Sequence, residues 1–454
     1  MTQTGEMVFH PRPGAGEARE WTFPSPERSE LGNGLAVLRV DRPGQKVVAV
    51  ELVLDSPLAA EPRECEGVAT IMARALTEGT DKMGAEEFAA ELERCGATID
   101  TDADHPGVRV ALDVPASRLE RALGLLADAM RAPAFPADEV DRLVRQRLDE
   151  IVHEMASPPR RAAFALNATL FDSSVRLSRP RAGTAESVAR VDRASVWDFF
   201  DTHVRPGTAT LVVVGDFAGV DVTDILERTL GTWSGTAASA SPTASTAADD
   251  HARVVIVDRP GSVQTQALVG RVGPGRDDAS WPALTIGTYC LGGTLTSRLD
   301  RVLREEKGYT YGVRAVNQTL PSGSLLAIHG SVETDVTGPA VADMVSVLRT
   351  LADEGLTDTE RDAAVQSIVG VAPLKYVTPR AVCDSLADIV AERQPDGYLA
   401  ELYLRLAAVA TKDASEAVVA AFDPAHLVVV LVGDAAKIRG PLEALELGPV
   451  TVVE

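Results

Sequence analysis

Cysteine is scarce and scattered in this chain. Cys65, Cys95, Cys290 and Cys383 stand far apart, and no CxxC pair occurs. That excludes a zinc knuckle and a dithiol redox motif, and it points to a reducing compartment. Long apolar runs are missing too: nowhere do about 18 apolar residues follow one another, the length a membrane-spanning helix needs. The opening residues, MTQTGEMVFHPRPGAGEARE, lack the basic region and apolar stretch of a secretory signal. These absences predict a cytoplasmic protein. Positive charge is in deficit, with 44 Lys and Arg against 66 Asp and Glu and a formal net charge of -22. Such a balance argues against nucleic acid and against an anionic membrane surface, and favours solubility and the attraction of basic peptides. No GxSxG, P-loop or GxGxxG is present, so the commonest hydrolase elbow and phosphate cradles are excluded as well.

What the chain does contain is a repetition of itself. Asp41-Arg42-Pro43-Gly44 recurs as Asp258-Arg259-Pro260-Gly261, 217 positions on, after LAVLRV in the first copy and ARVVIV in the second. Val212-Val213-Val214-Gly215-Asp216 recurs as Val430-Leu431-Val432-Gly433-Asp434, 218 positions on. Two matches in the same order at nearly one offset imply a tandem duplication. Between the copies, residues 231–253 read GTWSGTAASASPTASTAADDHAR, a composition of flexible linkers. The expected organisation is therefore an N-terminal half over 1–230, a linker over 231–253 and a C-terminal half over 254–454. Each half opens on β-branched strands, passes through helices and closes on a Val-rich strand, which predicts an α+β fold of two homologous α/β-sandwich halves.

Residues 67–80 read GVATIMARALTEGT. Val68, Ile71, Met72, Ala75 and Leu76 fall at helical spacing, with Thr70 and Arg74 at i and i+4 beside the stripe. Two histidines at that spacing can share a metal. Threonine and arginine are not usual donors to zinc, and arginine brings a positive charge. A second helix is expected from about Pro136 to Ser157, buried through Val140, Leu143, Val144, Leu148, Ile151, Val152 and Met155. On it, Glu150 and His153 form a single E-x-x-H pair, short of the two copies a di-iron bundle requires. By itself Glu150 reads as a polar residue facing a solvated cleft.

The 67–80 run resembles the metal-binding helix of the insulinase/pitrilysin-type metallopeptidases, a family that includes the mitochondrial processing peptidase. There it reads G-V-A-H-x-x-E-H-x-x-x-x-G-T, an inverted zinc motif. Gly67, Val68, Ala69, Gly79 and Thr80 match, while Thr70, Ala73 and Arg74 stand at the His, Glu and His positions. The family's third ligand, a Glu in a segment like L-x-E-I, corresponds to Glu150 within Leu148–Ile151, 76 residues beyond Arg74. The resemblance implies the family's clamshell of two halves with no zinc and no cofactor in this chain. It also implies an edge strand at Gly96–Asp102, where Ile99 and Asp100 replace the Asn-Ala that pairs with substrate backbone.

In the second half, residues 292–314 read GGTLTSRLDRVLREEKGYTYGVR. Ser297 and Asp300 have capping-box spacing. Leu299, Val302 and Leu303 give a helix its apolar stripe, and Gly308 suits the position just past its end. A strand is expected next, with Tyr309, Tyr311 and Val313 on one face. Read on their own, Arg304 is a solvated helix end and Tyr311 a packed strand residue. The segment resembles the family's second-half signature, S-R-L-x-x-x-L-R-x-x-x-G-x-x-Y. In active members that Arg and Tyr contact the substrate backbone and the developing oxyanion, a task suited to a guanidinium and a phenol. The resemblance makes Arg304 and Tyr311 the expected catalytic pair, with Tyr309 as the fallback.

Lost ligands in one half and a kept Arg/Tyr pair in the other imply the non-zinc subunit of a heterodimeric peptidase. Its partner would be a homologous zinc-bearing chain, and its substrate a short or unfolded peptide. A rival expectation is an inert scaffold or peptide-binding homologue. A third, the recognition subunit of the processing peptidase, calls for a long glycine-rich loop where only Gly292-Gly293 stand.

Overall fold

The computed structural model describes residues 21–235 and 251–453. The first half contributes β1 (Glu27–Glu30), β2 (Ala36–Asp41), β3 (Val47–Leu54), β4 (Thr98–Asp104), β5 (Gly107–Pro115) and β6 (Ala209–Gly215). They form one sheet in the order β1-β2-β6-β3-β5-β4. The second half contributes β7 (Arg253–Asp258), β8 (Gln264–Gly273), β9 (Val313–Thr319), β10 (Ser324–Glu333), β11 (Val428–Gly433) and β12 (Val450–Val453), in the order β12-β7-β11-β8-β10-β9. Five strands correspond one to one. In each half the first of the five pairs parallel with the last, β2 with β6 and β7 with β11. The sixth strand differs: β1 precedes its sheet and adds antiparallel, whereas β12 follows its sheet and adds parallel. The fold is two α/β halves. Among the described residues no helix is long and apolar enough to cross a membrane. Most of the expected linker lies outside the described residues, but Trp233, near its start, is buried in the first half at 2% exposure.

The repeated motifs have a shared physical task. Arg42-Pro43-Gly44 turns the chain at the end of β2, and Arg259-Pro260-Gly261 does so at the end of β7, with Gly44 and Gly261 at φ of 88° and 75°. Proline presets the turn and glycine accepts the left-handed position that follows. Asp216, just past β6, takes the Gly44 N–H at 2.9 Å, and Asp434, just past β11, takes the Gly261 N–H at 3.0 Å. Each VxVGD strand end thus fastens the DRPG turn of the strand beside it.

The same arginines reach across to the other half. Arg42 Nη2 donates to the Tyr376 carbonyl and Arg259 Nη1 to the Ala156 carbonyl, both at 3.1 Å. These carbonyls come just before two helices that open with proline in the first turn, Pro379–Ala391 and Pro158–Leu170. The two helices are exchanged. Pro158–Leu170 lies on β8 and β11 of the second half, burying Ala162, Leu166 and Leu170 against Val255, Val428, Val430 and Val432. Pro379–Ala391 lies on β3 and β6 of the first half. Each sheet therefore completes its core with a helix from the other half.

The exchanged helix over the first sheet carries charge as well as apolar surface. Glu51, in the middle of β3, meets Arg380 at 3.3 Å and Arg109 at 3.5 Å. Arg380 also holds Asp113 and Asp384, and Arg109 holds Asp388. Burial, helped by nearby Asp384, pushes the Glu51 carboxyl up to about 7 against the pull of the two guanidiniums. A carboxyl whose folded value is raised costs stability as pH climbs from its unfolded value to its folded one. Urea midpoints are expected to fall between pH 5 and pH 8, and Glu51→Gln is expected to flatten that fall.

Candidate functional site

The metal-position helix, Val68–Ala75, is anchored at its start by buried charge. Gly67 opens it at φ 103°, where a Cβ would come within 2.9 Å of the Ala182 carbonyl oxygen. Glu61 Oε1 accepts the N–H of Gly67 at 2.9 Å and that of Ala69 at 3.0 Å, taking up two of the donors a helix start leaves free. Its other oxygen accepts Arg176 at 2.9 and 3.1 Å. Arg176 also donates to the carbonyls of Arg179, Pro180 and Arg181, so the loop behind the helix is held by one guanidinium. Neither Glu61 nor Arg176 stood out in the sequence. Their partnership spans 115 residues and no local pattern announces it.

Thr70 is buried at 7% exposure, and its hydroxyl has no hydrogen-bond partner among the described residues. Arg74 donates to both oxygens of Glu150, at 2.9 and 3.0 Å. Arg147 adds a bond to Glu150 at 3.1 Å, grips Glu154 through two bonds of 2.8 Å and reaches the Ala182 carbonyl. Burial works to raise the Glu150 carboxyl, but the bonds from Arg74 and Arg147 outweigh it and hold the group below the usual range. Glu150 is thus not a bare residue in a solvated cleft; it is one link in an Arg74–Glu150–Arg147–Glu154 chain. Arg147, at 3% exposure, takes the buried place expected for apolar neighbours. In the last turns of the helix Ala137–Ala156, Val152 and Met155, expected inside, emerge at 67% and 51% exposure.

Zinc does not fit this corner. One ligand position offers a hydroxyl, the second a cation, and the third a carboxylate already held by two guanidiniums. Among the described residues no three His, Cys, Asp or Glu side chains gather where a metal could be held. Elemental analysis of the purified chain is expected to find far less than one zinc per molecule, with no thermal shift on adding the metal. One tightly held zinc, lost on Glu150→Gln, would contradict this reading.

The second-half segment departs from expectation in detail. Arg298–Asp300 is one short α-turn, and Arg301–Glu306 continues it as a π-turn. The Ser297 hydroxyl donates back to the Thr294 carbonyl, and no capping box forms. Asp300, fully buried, instead accepts the Val313 N–H at 3.1 Å and the Arg314 guanidinium, which ties the helix to β9. Gly308 follows at φ 67° as expected of the residue past a helix end. The strand begins only at Val313, so Tyr309 and Tyr311 sit in the turn before it and not on a strand face. Tyr309 packs against the core. Tyr311 is 95% exposed, and among the described residues the Arg304 side chain pairs only with Glu305, at 3.9 Å. No hydrogen bond among the described residues joins Arg304 or Tyr311 to each other or to the Arg74–Glu150 corner. The expected edge strand is present as β4, the last strand of its sheet.

Residues 36–184 match the family described as insulinase (peptidase family M16), and residues 190–368 match the peptidase M16 inactive domain. The chain belongs to the insulinase family. Within it, an uncharacterized zinc protease of Mycobacterium leprae is 24% identical over 347 residues, 76% of this chain and 77% of that protein. A protein of Helicobacter pylori named as a non-peptidase homolog is 20% identical over 312 residues, 69% of this chain and 72% of its own length. Among solved structures, a peptidase M16 inactive domain from Pseudomonas fluorescens superposes with a TM-score of 0.83 at 21% identity, covering 90% of this chain and 98% of that one. A protease from Helicobacter pylori gives the same TM-score at 18% identity, covering 90% and 100%. These likenesses establish the fold. The side chains at Thr70, Ala73 and Arg74 make this insulinase-family chain a non-catalytic member with respect to its own metal position.

Proposed function

We propose that this chain is the non-metal subunit of a two-chain peptidase. It presents Arg304 and Tyr311 to a peptide whose scissile bond is cut at the metal site of a homologous partner. The observation that carries the reading is the contrast between the two motifs. The metal corner is closed by ion pairs, whereas Tyr311 stands in solvent at 95% exposure with its phenol uncommitted. A large aromatic so exposed does nothing for the fold, because its burial free energy is forgone. A packed-residue role is thereby removed for Tyr311. In this chain's share of the chemistry, Arg304 donates to the substrate backbone and Tyr311 donates its O–H to the carbonyl oxygen as charge grows there, which lowers the barrier without any proton leaving the protein for good. The acidic chain favours basic peptides at the approach.

Reconstitution tests this. The purified chain is mixed with a homologous chain that retains H-x-x-E-H, assembly is followed by gel filtration, and hydrolysis of an unfolded peptide is measured. Activity absent from either chain alone and present in the mixture is the expected result. A mixed complex with no gain in activity leaves the inert scaffold standing.

A further inference from the structure

Four helical segments of the second half, Trp281–Gly292, Arg298–Glu306, Thr337–Glu354 and Asp358–Ile368, leave a cleft of about 610 Å³ open to solvent. Its size is that of a small-ligand site. Neither Arg304 nor Tyr311 lines it, so it is separate from the site above. Val302, Val347 and Ala364 give it an apolar floor.

The charged groups around that floor are only partly used. Arg298, at 8% exposure, gives Nε and Nη2 to Glu360 at 2.7 and 2.8 Å and Nη2 also to the Gly355 carbonyl. Its Nη1 makes no hydrogen bond among the described residues. Burial opposes ionisation of Glu360, yet the bonds from Arg298 and Thr357 bring it down to about 2. The Arg298–Glu360 pair is therefore fixed and charged at neutral pH. Arg301 stands at the rim with 59% of its side chain exposed and, among the described residues, pairs only with Glu306, at 3.8 Å, beyond hydrogen-bond reach. On the helix Thr337–Glu354, Glu354 makes no hydrogen bond or ion pair among the described residues, though its charge is felt by nearby Arg298, and Asp343 pairs with Lys307 at 3.7 Å, beyond hydrogen-bond reach. Guanidinium donors and carboxylate oxygens that lack hydrogen bonds thus border the same apolar floor.

An apolar ligand would desolvate these groups without replacing their water. A simple anion would face the carboxylates, and a simple cation the guanidiniums. We propose that the cleft binds a short zwitterionic peptide of roughly two or three residues, the volume being generous for a single amino acid. Its carboxylate meets Arg301 and Arg298 Nη1, its ammonium meets Glu354 and Asp343, and its side chains lie on Val302 and Val347. The proposal stands on the cleft and does not require that Arg304 and Tyr311 act in trans.

Calorimetric titration of the isolated chain with trialanine, its N-acetyl form and its C-terminal amide tests it. Trialanine is expected to saturate, and each blocked form to bind about tenfold more weakly, the loss of one charge-assisted contact. Arg301→Ala is expected to weaken trialanine but not the amide, and Glu354→Gln to weaken trialanine but not the N-acetyl form. Ser346, exposed in the cleft wall, takes a large residue without disturbing the core, so Ser346→Trp is expected to abolish binding. Absence of saturation up to about 10 mM overturns the proposal. So does equal affinity for free and blocked peptides, or binding that survives Ser346→Trp.

Discussion

Tyr311→Phe is expected to lower turnover of the reconstituted pair by roughly a hundred- to a thousandfold while the complex still assembles, the cost seen when one oxyanion donor is removed. The substitution keeps the ring and deletes only the hydroxyl. Because Tyr311 is 95% exposed in the turn before β9, no packing is lost and the variant is expected to fold as the parent does. Arg304→Ala is also expected to be costly, with the larger share in KM, because a guanidinium on the substrate backbone acts before and during the reaction alike. Substitutions at Thr70 and Glu150 are expected to leave turnover nearly unchanged, since their corner is closed by ion pairs. Steady-state kinetics on the pair, with gel filtration as the control, separates these outcomes. Near-normal turnover for both Tyr311→Phe and Arg304→Ala would remove this chain from the chemistry.

The largest stability effect is expected at Glu61. Its side chain is fully buried against Arg176, itself 3% exposed, and it also takes the N–H groups that open the Val68–Ala75 helix. Glu61→Ala leaves the buried Arg176 guanidinium with only the more distant Glu66 carboxylate, at 3.7 Å, and two helix donors without an acceptor. Breaking a buried pair from one side costs about 3–5 kcal/mol. The urea midpoint of the variant is expected to drop accordingly. Glu61→Gln with Arg176→Met removes both charges while keeping an oxygen for the helix N–H groups, and is expected to recover much of the loss. An unchanged midpoint for Glu61→Ala would mean that the helix start is held by packing alone.

Residue identity was enough to show that the 67–80 helix lacks the usual zinc donors at its ligand positions, because ligand chemistry depends on which side chain stands at a position. It was also enough to reveal the duplication. The DRPG and VxVGD repeats persist because each half needs the same turn fastened to the same neighbouring strand, as the Asp216–Gly44 and Asp434–Gly261 bonds show. These are local rules, with short reach along the chain, and a sequence carries them openly.

What the tertiary structure decided are choices among equivalent surfaces. The apolar faces of Pro158–Leu170 and Pro379–Ala391 do not say which sheet they cover, and each covers the sheet of the opposite half. Helical periodicity placed Val152 and Met155 inside, but the last turns of their helix leave both side chains largely in solvent. The Ser297–Asp300 spacing fitted a cap, yet a buried carboxylate facing the Val313 N–H and Arg314 gains more by satisfying them. Arg74 and Glu150 are separated by 76 residues, and only folding turns a missing ligand and a surviving one into an ion pair. The sequence by itself determined which zinc donors are missing from the 67–80 helix and where the two halves repeat. The tertiary structure decided which long-range partners fill the vacated metal corner and leave Tyr311 in solvent, because those pairings depend on distances that no local pattern encodes.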